Sequence, residues 1–175
     1  MTSHQVTLIQ TSWAVVVPIQ DTAAGLFYQR LFVLDPTVRP MFKGDMREQG
    51  QKLMGTSINS DFVIPAKAGI QSNQATGFRV KPGMTIYRSA LMKMLGLIVN
   101  SLTWLDELVP AAQDLARKHV DYGVKPAHCD TVGAALLWTL EQGLGSKFTN
   151  DVKAAWTTTY GTLSQVMKDA AYAPA

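Results

Sequence analysis

The sequence predicts an all-α fold, helices of unequal length packed around one core. Three observations predict it. Apolar residues recur at helical spacing in successive stretches, with proline, glycine and capping residues between them. No convincing strand or hairpin signal appears outside one atypical central stretch. The 175 residues, 47% hydrophobic and 17% charged, suit a single domain with a substantial core.

Taken in order, Leu8, Ile9, Trp13, Val16 and Val17 mark a first helix over 6–18, preceded by a frayed tail holding His4 and stopped by Pro18. Asp21 and Thr22 are candidate caps for a second helix carrying Leu26, Phe27, Leu31 and Phe32. Asp35-Pro36 opens a short helical turn, with proline at a tolerated first position. Phe42 and Gly44 mark a loop, and a polar helical piece follows from Met46 to Met54.

Between Gly55 and Thr85 the character changes to Gly, Ser, Asn and Pro, with Pro65 and Pro82 as breakers and no sustained period. It separates two segments that each end in Leu-Met, at 51–54 and 89–92. A long structureless loop is foreign to a compact domain. The expectation is one domain over 1–175 with an insertion at 55–85, extending to about 93. A strongly apolar helix over 86–102 follows.

Beyond it, Trp104 to Tyr122 reads as a helix entered through Ser101, Thr103 or Asp106 and stopped by Gly123. Asp130 to Gln142 reads as another, ended by Gly143 and Gly145, with His128 in the loop before it. Thr149 or Asn150 caps the last helix, whose buried stripe is Trp156, Tyr160, Leu163, Val166, Met167 and Ala170.

Composition also excludes. A net charge of +3, scattered among acids, argues against nucleic acid, which calls for a dense basic stripe. No apolar run is long enough to cross a membrane, and the N-terminus lacks a signal-peptide plan. Cys129 is the only cysteine, so no internal disulfide can form, and a cytoplasmic location is expected.

Of three histidines, His119 stands apart. It lies one turn after Leu115 and Ala116 on the apolar face of its helix, beside solvent-facing Arg117, Lys118 and Asp121. That position alone suits a hydrogen-bonded core histidine as well as a metal ligand. No second His or Cys stands at metal-ligand spacing, so zinc is not expected.

The run Leu-Ala-Arg-Lys-His-Val-Asp-Tyr-Gly-Val (115–124), then Ala-His-Cys-Asp-Thr-Val-Gly (127–133), resembles the proximal helix and following corner of bacterial single-domain globins. Ser12-Trp13 resembles the family's first-helix signature. Leu-Phe-Tyr-Gln-Arg-Leu-Phe (26–32), Asp35-Pro36 and Met41-Phe42 resemble its second helix and haem-gripping corner. Ala155-Trp156 with Tyr160-Gly161 resembles its last helix. The resemblance spans the whole chain except the insertion. It implies the globin fold, a three-on-three helical sandwich, and haem b (iron protoporphyrin IX). One imidazole then suffices, because the porphyrin supplies four nitrogens.

Carried over by position, His119 matches the proximal iron ligand. Phe42 matches the aromatic that stacks on the porphyrin, and Tyr28 the distal tyrosine whose hydroxyl can donate to dioxygen. Gln49 matches the distal glutamine and Leu53 the apolar residue over the iron. No residue is assigned a catalytic role. The insertion leaves a second register open, in which the unbroken helix over 86–102 puts Tyr87 and Leu91 in those places. Spacing from Phe42 favours Gln49, and helix continuity favours Tyr87. Within the insertion, residues 61–71 and 83–85 resemble peptides translated from dispersed palindromic repeats in bacterial genomes. Its Phe62, Val63 and Ile64 offer a contact surface for a homodimer.

The implied function is reversible binding of dioxygen, nitric oxide or carbon monoxide. The alternative is nitric oxide dioxygenase chemistry, with electrons from a separate reductase because no flavin or nicotinamide domain is visible. In the family's flavohaemoglobins a tyrosine after the corner histidine and a glutamate in the last helix orient the proximal histidine. Cys129 and Ala171 stand at the matching positions here, which weakens peroxidase-like activation. A sensor would carry a signalling domain, and a chain that had lost haem would not be expected to keep His119, Phe42 and Tyr28.

Overall fold

A computed structural model describes residues 1–42 and 82–172. They form six α-helices: α1 (Ser3–Val16), α2 (Gln20–Leu34), α3 (Pro82–Asn100), α4 (Leu105–Asp121), α5 (Pro126–Leu144) and α6 (Asn150–Tyr172). Tight helical turns occupy Val17–Ile19, Pro36–Phe42 and Gly145–Lys147. No strand occurs among the described residues.

Local chemistry sets most boundaries. Thr2 and Gln5 form a reciprocal capping box that starts α1 well before Val6, so His4 is helical. Pro18 ends α1 in a tight turn that runs directly into α2. Asp21 therefore sits inside the first turn of α2, where its charge favours the helix N-terminus, and Asp21 and Thr22 are not the caps. Pro82 and Pro126 open α3 and α5 at or next to the position where a missing N–H costs nothing. Both helices consequently begin four residues before the sequence pattern suggested. The final residues of the 55–85 stretch are thus helical, and His128 belongs to the first turn of α5, not to a loop. The N-cap position of α4 is Trp104, which makes no side-chain cap bond, and not Ser101, Thr103 or Asp106. Gly123, at φ 80°, takes the left-handed conformation after α4. Gly145 ends α5 at φ 54°, whereas Gly143 lies inside it. Thr149 Oγ accepts from the Val152 N–H and starts α6.

The helices form two layers of three, with α1, α3 and α4 against α2, α5 and α6. Across the layers α1 packs on α5 and α6, α3 on α2, and α4 on α6. Within them α1 meets α3, α2 meets α5, and α5 meets α6. Ile9, Val16, Ala24, Phe27, Leu31, Val99, Leu140, Ala155 and Trp156 are in the buried core. The Trp13 and Trp156 rings lie 6.2 Å apart at the α1–α6 crossing. There Trp156 Nε1 donates to Ser12 Oγ at 2.9 Å, and Ser12 donates to the Ile9 carbonyl, so this buried polar pair is satisfied. The buried face of α6 runs through Val152, Ala155, Trp156, Thr159 and Ser164. Leu163, Val166, Met167 and Ala170 are only half-buried, because the helix tapers out of the core towards its end.

Candidate functional site

On α4, Ala112 and Ala116 are buried. One helical step further round lies His119. Its Nδ1 is 2.7 Å from the Leu115 carbonyl oxygen, one turn back on the same helix. A carbonyl can only accept, so Nδ1 carries the hydrogen and Nε2 keeps its lone pair. Burial lowers the His119 pKa, opposed by the weaker effect of the Leu115 hydrogen bond. The ring is therefore neutral at neutral pH, oriented by its own helix, with one nitrogen free to ligate.

The corner after His119 is fixed from several directions. The Val124 N–H donates to the His119 carbonyl at 3.0 Å. The Tyr172 hydroxyl donates to the Val124 carbonyl at 2.5 Å, and the Tyr160 hydroxyl to the Cys129 carbonyl at 2.6 Å. Burial raises the pKa of both phenols, so both remain donors. Gly133 makes room for Tyr160: a methyl there would stand 2.6 Å from the ring. Lys168 pairs with Asp130 at 2.9 Å and joins α6 to α5 again. The sequence signal missed Tyr172 and Tyr160 as corner braces. The Cys129 thiol takes no part in the Tyr160 contact, which uses its backbone carbonyl, and burial raises the thiol pKa.

Elsewhere in the fold, α2 and the Pro36–Phe42 turn bring Tyr28 and Phe42 together. Tyr28 is buried at 6% exposure, with its ring 5.5 Å from Phe42 and edge-on to it. Phe32 lies 5.5 Å from Phe42 and 6.1 Å from Tyr28, and the Arg39 guanidinium covers the Phe32 ring at 5.1 Å. The turn is anchored where it begins, because Asp35 accepts from both the N–H and the hydroxyl of Thr37. Gln49 and Leu53 lie outside the described residues. Leu91 is half-buried against the core on α3. Met92 and Val99 are buried, Gly96 meets Trp13, and the Arg88 guanidinium lies against Gly25. The row 88–92–96–99 thus faces α1 and α2, and positions 87, 91, 95 and 98 follow on the adjacent side.

A family model described as Globin matches residues 75–167, more than half of the chain. The chain belongs to the globin family. It is 25% identical over 173 residues to the flavohemoprotein of Vibrio cholerae, covering 97% of this chain and 34% of that one. Against the flavohemoprotein of Xylella fastidiosa it is 24% identical over 166 residues, covering 95% and 33%. The globin thus spans about a third of the length of the curated relatives it matches. Among solved structures, a hexacoordinated heme protein from an anhydrobiotic tardigrade aligns with TM-score 0.70 at 12% identity, over 97% of this chain and 94% of that one. A bacterial globin from Campylobacter jejuni aligns with TM-score 0.65 at 20% identity, over 97% and 95%. Both likenesses concern the fold. Together with the family match they bear out the all-α, three-on-three globin architecture, and the globin is a haem-binding protein.

Proposed function

We propose that this globin holds haem b through His119 and binds dioxygen, nitric oxide or carbon monoxide. One observation carries the reading: Nδ1 of His119 is committed to the Leu115 carbonyl, which leaves Nε2 as a neutral donor. The donor set fits the group, because a single imidazole completes the protein's share of haem ligation. When bound, haem would supply an iron that can take a small gas. The chain's residues do the rest. Phe42 offers an aromatic face beside that site, and the Tyr28 hydroxyl is a hydrogen-bond donor for a polar gas in apolar surroundings.

The residue beside Tyr28 is either Gln49, with Leu53 over the iron, or Tyr87, with Leu91. Leu91 follows position 87 by one turn of α3, and the Tyr87 side chain is outside the described residues. The test of the main reading is His119→Gly. The variant should lose haem, and added imidazole should restore the visible spectrum. Unchanged haem content and spectrum without imidazole would remove His119 from the role.

A second reading is nitric oxide dioxygenase activity, favoured by the flavohemoprotein relatives. A separate reductase would supply the electrons. Nitric oxide consumption that stays stoichiometric, even with a flavin reductase and reduced nicotinamide present, would leave only the binding role. We also propose a cytoplasmic location. Among the described residues no helix is long and apolar enough to cross a membrane. The homodimer through Phe62, Val63 and Ile64 involves residues outside those described, and a monomer in sedimentation at every concentration would end it.

A further inference from the structure

We infer that His128 is a positioning residue that ties the turn carrying Phe42 to the corner carrying His119, so that two walls of the haem pocket keep a fixed spacing. The inference rests on the pocket reading above. His128 is 9% exposed, in the first turn of α5. Its Nδ1 accepts the Lys125 N–H at 3.0 Å. That acceptance puts the hydrogen of the neutral ring on Nε2. Nε2 faces Asp35 Oδ2 at 3.9 Å. The other carboxylate oxygen, Oδ1, is already committed to the Thr37 N–H at 2.9 Å and the Thr37 hydroxyl at 2.5 Å. Thr37 therefore sets the orientation in which Oδ2 meets the ring. At 3.9 Å the contact is an electrostatic attraction rather than a direct hydrogen bond, in a partly buried place where screening is reduced.

The chain connections give this contact its consequence. Asp35 directly precedes the Pro36–Phe42 turn. Lys125 directly follows Val124, whose N–H holds the His119 carbonyl. Tyr172 and Tyr160 fix the same corner only to α6. His128 fixes it to the end of α2, and so to the aromatic side of the pocket. The ring joins a backbone donor on one corner to a carboxylate on the other.

The test uses the full chain with Asp35→Asn, His128→Gln, His128→Leu and the Asp35→Asn/His128→Gln double variant. Glutamine at this helix position can still accept the Lys125 N–H, as in an ordinary capping box, but removes the ring. The readouts are the iron–imidazole stretching band of the ferrous protein, the rate of haem loss to a scavenging apoprotein, and hydrogen exchange of the Lys125 amide without haem. Asp35→Asn and His128→Gln should each speed haem loss about threefold and shift or broaden the band. The double variant should be no faster than the faster single one, the signature of a shared interaction. Asp35→Asn should also speed Lys125 exchange, although it lies on another element, and His128→Leu should lose the cap as well.

Additive effects on haem loss, or wild-type bands and rates in both single variants, would overturn the inference. If His128→Leu does not fold, the other variants still decide. If the chain takes up no haem, the pocket reading fails separately, and unchanged Lys125 exchange in Asp35→Asn then overturns the tie on its own.

Discussion

The two sides of the proposed pocket are built differently. The His119 side is held by the backbone: the imidazole bonds to its own helix, and the corner behind it receives three hydrogen bonds, from the Val124 amide and from two tyrosines of α6. On the Tyr28 side rings pack against one another, with Phe27, Phe32 and Phe42 around the phenol and the Asp35–Thr37 bonds anchoring the turn that carries Phe42. Hydrogen bonds fix direction, whereas ring contacts tolerate sliding. The first arrangement suits a metal ligand whose orientation must not change. The second suits a chamber that must admit and release a gas.

The strongest way to break this comparison is to strike the brace. Gly133→Ala would push a methyl to 2.6 Å from Tyr160 Cε1, so the ring that donates to the Cys129 carbonyl, or the helix behind it, must shift. Overpacking of this kind costs about 1–3 kcal/mol. Denaturant unfolding should show that loss, and haem should dissociate faster. Wild-type stability with wild-type haem retention would mean the Tyr160 contact contributes nothing to the His119 side. On the Tyr28 side, Tyr28→Phe keeps the ring packing and removes the hydroxyl. A hydrogen bond to a partly charged acceptor is worth about 1–3 kcal/mol, or roughly five- to a hundredfold in the dioxygen release rate. A stability loss without any change in release would put the phenol to structural use instead.

Acid sharpens the same contrast. The His119 pKa is lowered in the folded chain by burial. The unfolded chain therefore binds the proton more readily, and stability is lost as pH falls from the ordinary histidine value, about 6.5, towards the lower folded value. The Asp35 carboxyl is also held below its ordinary value, first by the Thr37 hydroxyl, and its contribution is lost only at more acidic pH. Haem-free chain titrated in urea should show the first decline below about pH 6.5, and His119→Gln should remove it. A decline that persists in that variant would assign the proton to another group.

Much of the braced side was legible in the sequence and little of its bracing was. Helical repetition put His119 on the apolar face, with the Leu115 carbonyl one turn away by construction, and only the resemblance of 115–124 to a proximal helix singled it out as a ligand. Tyr160 and Tyr172 reach carbonyls 31 and 48 residues distant, and local periodicity carries no information about such contacts. Pro82 and Pro126 misled for the opposite reason. Pro82 was read as a breaker and His128, just after Pro126, as part of a loop, yet each proline opens a helix where its missing N–H is harmless. Asp21 and Thr22 had the right chemistry for caps but lost their place to the tight turn at Pro18, which feeds α2 directly. On the Tyr28 side, the ring cluster follows from Phe27, Tyr28 and Phe32 sharing one helix. Phe42 joins them only because the Asp35–Thr37 bonds turn the chain back.

The smallest predicted effect concerns the partner of Tyr28. Spacing from Phe42 favours Gln49, and helix continuity favours Tyr87. A second donor beside Tyr28 shares its work, so removing it should cost only the neutral hydrogen-bond range of about 0.5–1.5 kcal/mol, or roughly two- to tenfold in dioxygen release. Gln49→Leu and Tyr87→Phe separate the two positions, since either substitution removes the donor and leaves comparable bulk. Each should also be made in a Tyr28→Phe background. The residue that shares the pocket will show an effect that changes size when Tyr28 is absent, and the other will behave additively. A Tyr87 effect coupled to Tyr28 would place the distal contact on α3, one turn before Leu91. A Gln49 effect of that kind would mean the chain before α3 still supplies the wall above the iron. Additive, near-unit effects from both would leave Tyr28 as the sole donor and remove the idea of a paired distal site.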